Sequence, residues 1–538
     1  MRYILSLFYL MAILSSPARS QEVYEHISNK SIYTFLDEMA NEGYFELNSV
    51  VKPYSRMFIA EKLNALKQEE QKLNSRQKAE LDFYLRDFNK ELLPGKSYHK
   101  RFDLFYYKDS LFTFSLNPIL GVKYIDNEHG TNYHAWNGAE VFAYVGKHVG
   151  IYANLRDNHE KTPLSEQYDT TKKFLDPRPG PVYKSGLDFS EMRGGITYSW
   201  KWGSIGLIKD HLEWGNYYHY PSIISGKAPS FAQIKLAMKP AKWFEFNYIH
   251  GWLVSAIVDS AGSYAYTNSY GSSTRLVYRK KFIAANLFTF KPFRQFYASI
   301  GNSIIYSDMD AHPGYLIPFF LYKSVDHTLN NGSRNETGQN SQFFLDISSR
   351  QINHLHLYAT LFFDDISISR LKENGHLDYY SLNAGTRISN LIKNVFLTFE
   401  YFQSYPLVYK HNMPTTSYES NFYNLGHYLQ DNSRGVYVAT NYKPLRGLDI
   451  ELSYSLGQHG RDHEELGTDR LEVVHLFMDV IEWEQQIMAL SVNYQILNDI
   501  YVFGGYEYRS VSGDYEKYTT PYFHGTTNTF SFGVNYGF

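Results

Sequence analysis

Cysteine is absent from all 538 residues. That removes disulfides, thiolate metal ligands, cysteine nucleophiles and a lipid-modified lipoprotein cysteine from the available chemistry. Beyond the first twenty residues there is also no run of ~18 apolar side chains, so no spanning helix is expected there. Charge of one sign is missing too: Lys and Arg number 52 against 55 Asp and Glu, and two of the arginines lie in the first twenty residues. That balance gives no footprint for nucleic acid. No Gly-x-Ser-x-Gly elbow occurs, and a glycosidase carboxylate pair is defined by a separation that sequence does not supply. The chain reads as a non-enzyme that calls for no cofactor and no metal.

What is abundant is aromatic. Tyr 49, Phe 37 and Trp 7 make up 17% of the chain, yet its mean hydropathy stays polar at −0.40. Transmembrane barrels combine these properties, because each strand is half polar and aromatics gather at both membrane interfaces. The two ends of the chain agree. Met1-Arg2, the apolar stretch Tyr3 to Leu14 and the exit Ser16-Pro17-Ala18-Arg19-Ser20 describe a signal peptide over 1–20. At the other end Phe530, Phe532, Val534, Tyr536 and Phe538 alternate with Ser531, Gly533, Asn535 and Gly537. One greasy face and one small polar face, ending on phenylalanine, predict the closing strand of an outer-membrane barrel. Phe538 would then be the handle for barrel-assembly machinery.

Between these ends the period changes once. Residues 21–97 read as a helical bundle on the periplasmic side. Ile32, Phe35, Leu36, Met39 and Ala40 form one stripe, with Gly43 as its C-cap. Ile59, Leu63 and Leu66 form a second. Asn74 with Gln77 makes a capping box before Leu81, Tyr84, Leu85, Phe88 and Leu92, with Pro94-Gly95 as the stop. From 98 to 538 the period is two, as in Met488, Leu490, Val492, Tyr494 and Ile496. Strands of ~9–11 spanning residues, with a short turn at one end and a long loop at the other, use about 22–28 residues each, so this region holds roughly 16–20. The expected long loops are 160–186, 260–273, 326–342 and 412–434; the expected short turns are Pro444 to Gly447 and Leu497 to Asp499. The fold class is an all-β transmembrane barrel with a small N-terminal helical bundle, in the outer membrane and in contact with its lipid.

Several segments, in order, are familiar: Asn137-Gly138-Ala139-Glu140, Arg156-Asp157-Asn158-His159-Glu160, Arg193 to Gly203, Lys209 to Gly215, Ser225 to Phe231 and Tyr248-Ile249-His250-Gly251-Trp252. Together they resemble the Wzi-type capsule-assembly outer-membrane family along nearly the whole mature chain. The resemblance implies an eighteen-stranded barrel, a periplasmic helical bundle, an occluded lumen and a lectin-like role that holds capsular polysaccharide at the cell surface. The alternative is a porin whose helical module tethers it to cell-wall polymers, on a faint likeness of Tyr44, Pro53-Tyr54-Ser55-Arg56 and Ile59-Ala60 to S-layer-homology modules.

A sugar-binding surface needs aromatic faces and planar or charged polar groups. The candidates are Arg156, Asp157, His159 and Glu160, where a strand runs into a long loop, and Lys209, Asp210, His211, Glu213 and Trp214. A structural ion-pair cluster at the rim is the competing reading of the first group. Trp200 and Trp202 are expected in the interfacial belt. His250 and Trp252 share one strand face and are expected to face lipid near the rim, the alternative being that they line an outer pocket. His354 and His356, two apart with Asp364 and Asp365 nearby, are expected to hydrogen-bond inside the lumen rather than hold zinc, for want of a visible third ligand.

Overall fold

The computed structural model describes residues 21–92, 103–162, 164, 173–183, 187–269, 271–329, 338–364, 379–411, 413–462 and 477–537. The expected leader, the Pro94-Gly95 stop, the boundary at 97, Asp365 and Phe538 lie outside them. Helices α1 (Lys30–Asn41), α2 (Arg56–Gln68) and α3 (Ser75–Leu92) form the N-terminal unit. Their stripes meet as expected: Ile32, Phe35, Leu36, Met39, Ile59, Leu63, Leu66, Leu81, Tyr84 and Phe88 share one core. Gly43, at φ +82°, ends α1 by donating its N–H to the Ala40 carbonyl at 3.0 Å, the left-handed cap only glycine adopts without strain. The capping box forms in both directions: the Asn74 N–H donates to Gln77 Oε1 and the Gln77 N–H to Asn74 Oδ1, each at 3.0 Å.

Eighteen antiparallel strands close a barrel. They are β1 (Phe112–Asn127), β2 (Gly130–Val145), β3 (Val149–Glu160), β4 (Asp188–Trp200), β5 (Gly203–Asp210), β6 (Phe231–Ala241), β7 (Phe244–Val258), β8 (Tyr278–Phe293), β9 (Phe296–Ser307), β10 (Asn340–Ser349), β11 (Leu355–Asp364), β12 (Tyr380–Ser389), β13 (Val395–Ser404), β14 (Ser433–Tyr442), β15 (Leu448–Gly460), β16 (Ile481–Leu497), β17 (Ile500–Gly513) and β18 (Thr526–Tyr536). β18 pairs with β1 from Tyr536↔Leu120 to Phe530↔Asp126 and closes the ring. A short strand, Phe105–Lys108, pairs with Thr113 to Leu116 on the same edge of β1. Alternation sorts the faces. Leu155, Ile196, Leu207, Leu357, Leu397, Met488, Phe530 and Phe532 point outward and are exposed, as a lipid belt requires. Gly533 lies inward, where a Cβ would meet the Phe503 ring at 2.3 Å. The small face of the last strand therefore accommodates a neighbouring strand's aromatic.

The helical unit sits at the short-turn end and grips several turns. Lys291 pairs with Glu46 at 2.6 Å and Arg350 with Asp37 at 2.5 Å. Asn390 donates to Glu38 at 2.7 Å, Arg76 to Asn394 at 2.9 Å, and Asn498 to the Phe83 carbonyl at 3.2 Å. Among the helices, buried Arg56 is surrounded by Glu25, Asp87 and Glu91 at 2.6–2.9 Å. Residues leading into the unit lie along the inner wall. A Cβ on Gly150 would stand 2.4 Å from the Glu22 carbonyl, so the glycine allows this close approach.

Three of the long connections do not simply stand above the rim. Residues 211–230, between β5 and β6, turn down into the lumen. Residues 405–432, between β13 and β14, pack on them: Tyr418 and Tyr409 donate to the carbonyls of Ile223 and Ser222 at 3.0 and 2.9 Å. The third, 308–329, lies on the outside of the barrel. Sequence periodicity had placed long loops at 326–342 and 412–434 and none between β5 and β6. The observed connections begin earlier, because these loops carry apolar residues that read as strand.

Candidate functional site

Two segments from opposite ends meet inside the barrel. Val50 to Lys52, between α1 and α2, pairs with Glu213–Trp214 of the infolded connection, in register Val51↔Trp214 and Lys52↔Glu213. Gly215, at φ +101°, donates its N–H to the Val50 carbonyl at 2.8 Å. Around this stitch lies an apolar core drawn from both sources and from the wall: Val50, Trp214, Ile223, Ile283, Phe344 and Tyr418 are buried together. Wall carboxylates hold the polar side of the infolded chain. Glu400 accepts the N–H groups of Tyr218, His219 and Tyr220 at 2.8, 3.2 and 3.1 Å. Asp346 accepts the Asn216 N–H at 3.0 Å and the Thr360 hydroxyl at 2.6 Å. A buried backbone must find such partners. Charged residues at lumen positions of otherwise apolar strands were the available signal for these two.

Period two divides the sequence candidates. On β3, Arg156 and Glu160 face the lumen, while Asp157 and His159 face outward. Asp157 accepts a hydrogen bond from Ser190, and His159 pairs with Asp188 at 2.6 Å on an exposed surface. Lys209 also faces outward, just past Leu207, and donates to the Met192 carbonyl at 2.7 Å. These three mark where the lipid belt gives way to water. Inside, Arg156 pairs with Glu191, which His211 approaches to 3.6 Å. Asp210 accepts the Tyr152 hydroxyl at 2.7 Å and lies 3.6 Å from Arg193. His26 meets His211 edge to face, with ring centroids 5.9 Å apart, and Arg193 donates to the Tyr24 carbonyl at 3.4 Å. The network thus receives the N-terminal segment. Glu160 is buried and accepts from the Tyr183 hydroxyl at 2.6 Å. Burial pushes the Glu213 carboxyl up, against Lys52 and the Tyr217 hydroxyl that donates to it.

Trp214 is fully buried against Phe344, with centroids 6.2 Å apart. Its faces are sealed in the lumen core, and a sugar could not reach them without unstitching the plug. Trp214→Ala should cost about 3–5 kcal/mol, as removal of a large buried aromatic does. The check is a lower temperature for the heat-dependent mobility shift of the folded barrel. Trp200 and Trp202 stack edge to face, 5.3 Å apart, at the short-turn rim, where an interfacial belt belongs. His250 and Trp252 point outward with Phe246 and Tyr248, as their spacing requires, and His250 is buried.

The histidine pair is split by the backbone. His354 precedes β11 at φ +70° and contacts the Ser389 carbonyl at 2.8 Å. His356 has both ring nitrogens engaged, by the Tyr218 hydroxyl at 2.6 Å and the Ser348 hydroxyl at 2.8 Å. Among the described residues one trio, Asp431, His459 and Asp462, has metal-ligand spacing. There the Lys410 ammonium lies 2.8 and 3.4 Å from the two carboxylates and takes a cation's place.

A chamber of about 310 Å³ remains between α1, the infolded chain and the wall, with Lys30, Lys52, Tyr218, His219 and Arg387 among its lining. Burial pushes the His219 imidazole down to about 3, so it is neutral at physiological pH, stacked 4.1 Å from the Tyr437 ring.

An eighteen-strand closed barrel with an aromatic, apolar outer belt defines an outer-membrane β-barrel protein. No protein-family model matches the chain, and no curated protein matches it. Among solved structures it is similar to Wzi of Escherichia coli, described as a carbohydrate-binding β-barrel involved in group 1 capsule assembly. The TM-score is 0.58 at 10% identity, over 96% of this chain and all of that one. At this identity the likeness is one of fold, and it includes the eighteen-strand barrel that the sequence resemblance implied. Lower similarity is found to OprD of Pseudomonas aeruginosa, with a TM-score of 0.40 and 10% identity over 79% of this chain and 94% of that one.

Proposed function

We propose that this protein is a non-enzymatic, non-conducting barrel that binds extracellular polysaccharide at the cell surface, with its helical unit on the periplasmic side. The observation that carries the reading is the stitch between Val51–Lys52 and Glu213–Trp214 with the apolar core around it. A porin of this strand number needs a continuous water path, and an apolar core anchored from both ends interrupts one. The reading is supported by the likeness in fold to a barrel described as carbohydrate-binding. The short turns that the helices grip support a periplasmic unit, since short turns are periplasmic in outer-membrane barrels. Of the three outward-facing sequence candidates, Asp157 and His159 lie on the strand that runs on into a long loop, beyond the level of Lys209, and they are the ones we assign to polymer contact. In a strain lacking the protein, cell-bound polysaccharide should fall and the same polymer should appear in the medium while total export stays unchanged. Unaltered cell-bound polymer would sink the reading.

A further inference from the structure

We propose that residues 308–329 form an intramembrane strap, docked on the lipid-facing wall of β7–β9 and presenting Leu316 to Leu321 to the acyl chains of the bilayer interior.

The wall explains the strap. On most strands the outward positions from the short turn are apolar for about nine residues, as from Ile496 to Met488 on β16 and from Leu448 to Leu456 on β15. In β8 and β9 the same stretch holds Asn286 and Asn302, paired across the strands and both outward. β7 adds His250, two rungs from Asn286's partner Tyr248. Side-chain amides left open to hydrocarbon are strongly disfavoured. Here they are covered. Asn286 donates to the carbonyls of Pro318 and Phe320, both at 2.9 Å. Asn302 accepts the Tyr322 N–H at 3.0 Å and donates to Asn286 Oδ1 at 2.7 Å. Tyr248 donates to the Tyr315 carbonyl at 3.0 Å, and His250 is bonded to the Tyr306 hydroxyl at 2.6 Å. The amides of the wall thus satisfy the carbonyls of the irregular strap, and the strap satisfies the amides. Each would be costly in lipid alone.

Depth follows from the register. Phe319 stacks on Phe246 with centroids 4.6 Å apart. Phe246 pairs with Phe288, one outward rung above the Phe244↔Phe290 pair beside Trp243 at the short-turn end. The strap therefore runs far below the outer rim. At its root, Arg279 and Lys280 pair with Asp308 and Asp310 at 3.0 and 2.5 Å, which sets the charged boundary just above Phe282. Beneath that boundary the strap closes a second apolar core, Tyr248, Phe282, Ile304, Tyr306, Tyr315 and Tyr322, on the outside of the barrel. Its far side leaves Leu316, Ile317, Phe319, Phe320 and Leu321 exposed, continuous with the lipid belt.

The native chain has no cysteine, so single sites can be labelled in the full-length protein. Phe319→Cys, and Ile317→Cys as a second site, would carry an environment-sensitive fluorophore in vesicles of phosphatidylcholine with or without mid-chain bromines. Phe532→Cys serves as the lipid-facing reference and Tyr266→Cys as the aqueous one. The expected result is loss of emission with brominated lipid equal to that at 532, and iodide quenching far below that at 266. Iodide quenching at both strap sites equal to that at 266, without loss in brominated lipid, overturns the proposal. Disulfide-linked dimers formed through Phe319→Cys in the membrane overturn it as well, and assign the face to a second copy of the chain.

Discussion

Removing residues 21–95 together with the tip of the infolded connection, 216–223, should give a barrel with steady, porin-like conductance in a planar bilayer. The barrel wall does not need either segment for closure: each of the eighteen strands pairs with two others, and β18 seals against β1. Barrels of this size leave an aqueous channel when nothing fills them. Two elements fill this one, so the single deletions should differ from the double. Without the helical unit, the infolded chain keeps its bonds to Glu400 and Asp346 and its contacts with Tyr418 and Tyr409. Conductance should then rise only in part. Without 216–223, Ser49 loses Asn216 and Lys52 loses the Tyr217 ring, but the pairing of Val51–Lys52 with Glu213–Trp214 and the grip of the helices on the turns remain. A double deletion that folds, by its heat-dependent gel mobility, and stays closed would refute the plug. Steady conductance from the unaltered protein would favour a porin outright.

The sequence was most legible where one period governs a whole element. The terminal strand, the outward apolar belt and the three helical stripes all follow from spacing, and a range of roughly 16–20 strands follows from loop arithmetic. The Asn74–Gln77 box was readable because both partners lie within one turn. The resemblance of ordered segments supplied the figure of eighteen. What spacing could not give was which segments leave the wall. Lys209 to Trp214 looked like one charged, aromatic surface. In the fold it begins as the end of β5, with Lys209 outward and Asp210 inward, and continues as a chain that turns into the lumen and buries Trp214. That path depends on Glu400, Asp346 and Val50, all distant in sequence. The strap is a similar case. Asn286 and Asn302 break the belt visibly, but their partners are backbone carbonyls near residue 320, and no side-chain pattern announces a carbonyl. His354 and His356 keep strand spacing, yet a positive φ at His354 takes it out of the strand.

Arg350 should be the residue on which docking of the helical unit depends most. It sits in the short turn after β10 and is fully buried. Its guanidinium donates to Asn41 Oδ1 at 2.7 Å, the Leu47 carbonyl at 3.0 Å, Ser49 Oγ at 2.9 Å and Asp37 Oδ1 at 2.5 Å. Replacing it by methionine leaves the Asp37 carboxylate buried with the Tyr218 hydroxyl at 2.6 Å, and breaking one side of a buried pair costs about 3–5 kcal/mol. The wall keeps its own pairing, so the loss should appear as undocking of residues 21–92 while the barrel stays folded. Faster amide exchange across α1 and new protease cuts in the unit, without a change in the barrel's heat-dependent mobility, are the expected signs. Arg350→Lys keeps the charge but not the planar fork, and should fall between. The pH dependence separates a lost ion pair from lost packing. Burial alone would push the Asp37 carboxyl up, but Arg350 outweighs it and holds the group well below the usual carboxylate range. A depressed carboxylate contributes stability that is present above its unfolded value near 3.9 and is lost only as pH falls through the lower folded value. Docking in the native protein should therefore be unchanged by Asp37 from pH 7 down to about 4. In Arg350→Met we expect burial to outweigh the remaining pull of His356, Arg387 and the Tyr218 hydroxyl, which raises the folded value above the unfolded one. Stability then falls as pH rises, so acidification from pH 7 to about 5 should slow exchange in α1 of the variant. A variant whose docking weakens equally at both pH values has lost packing and not the Asp37 partner.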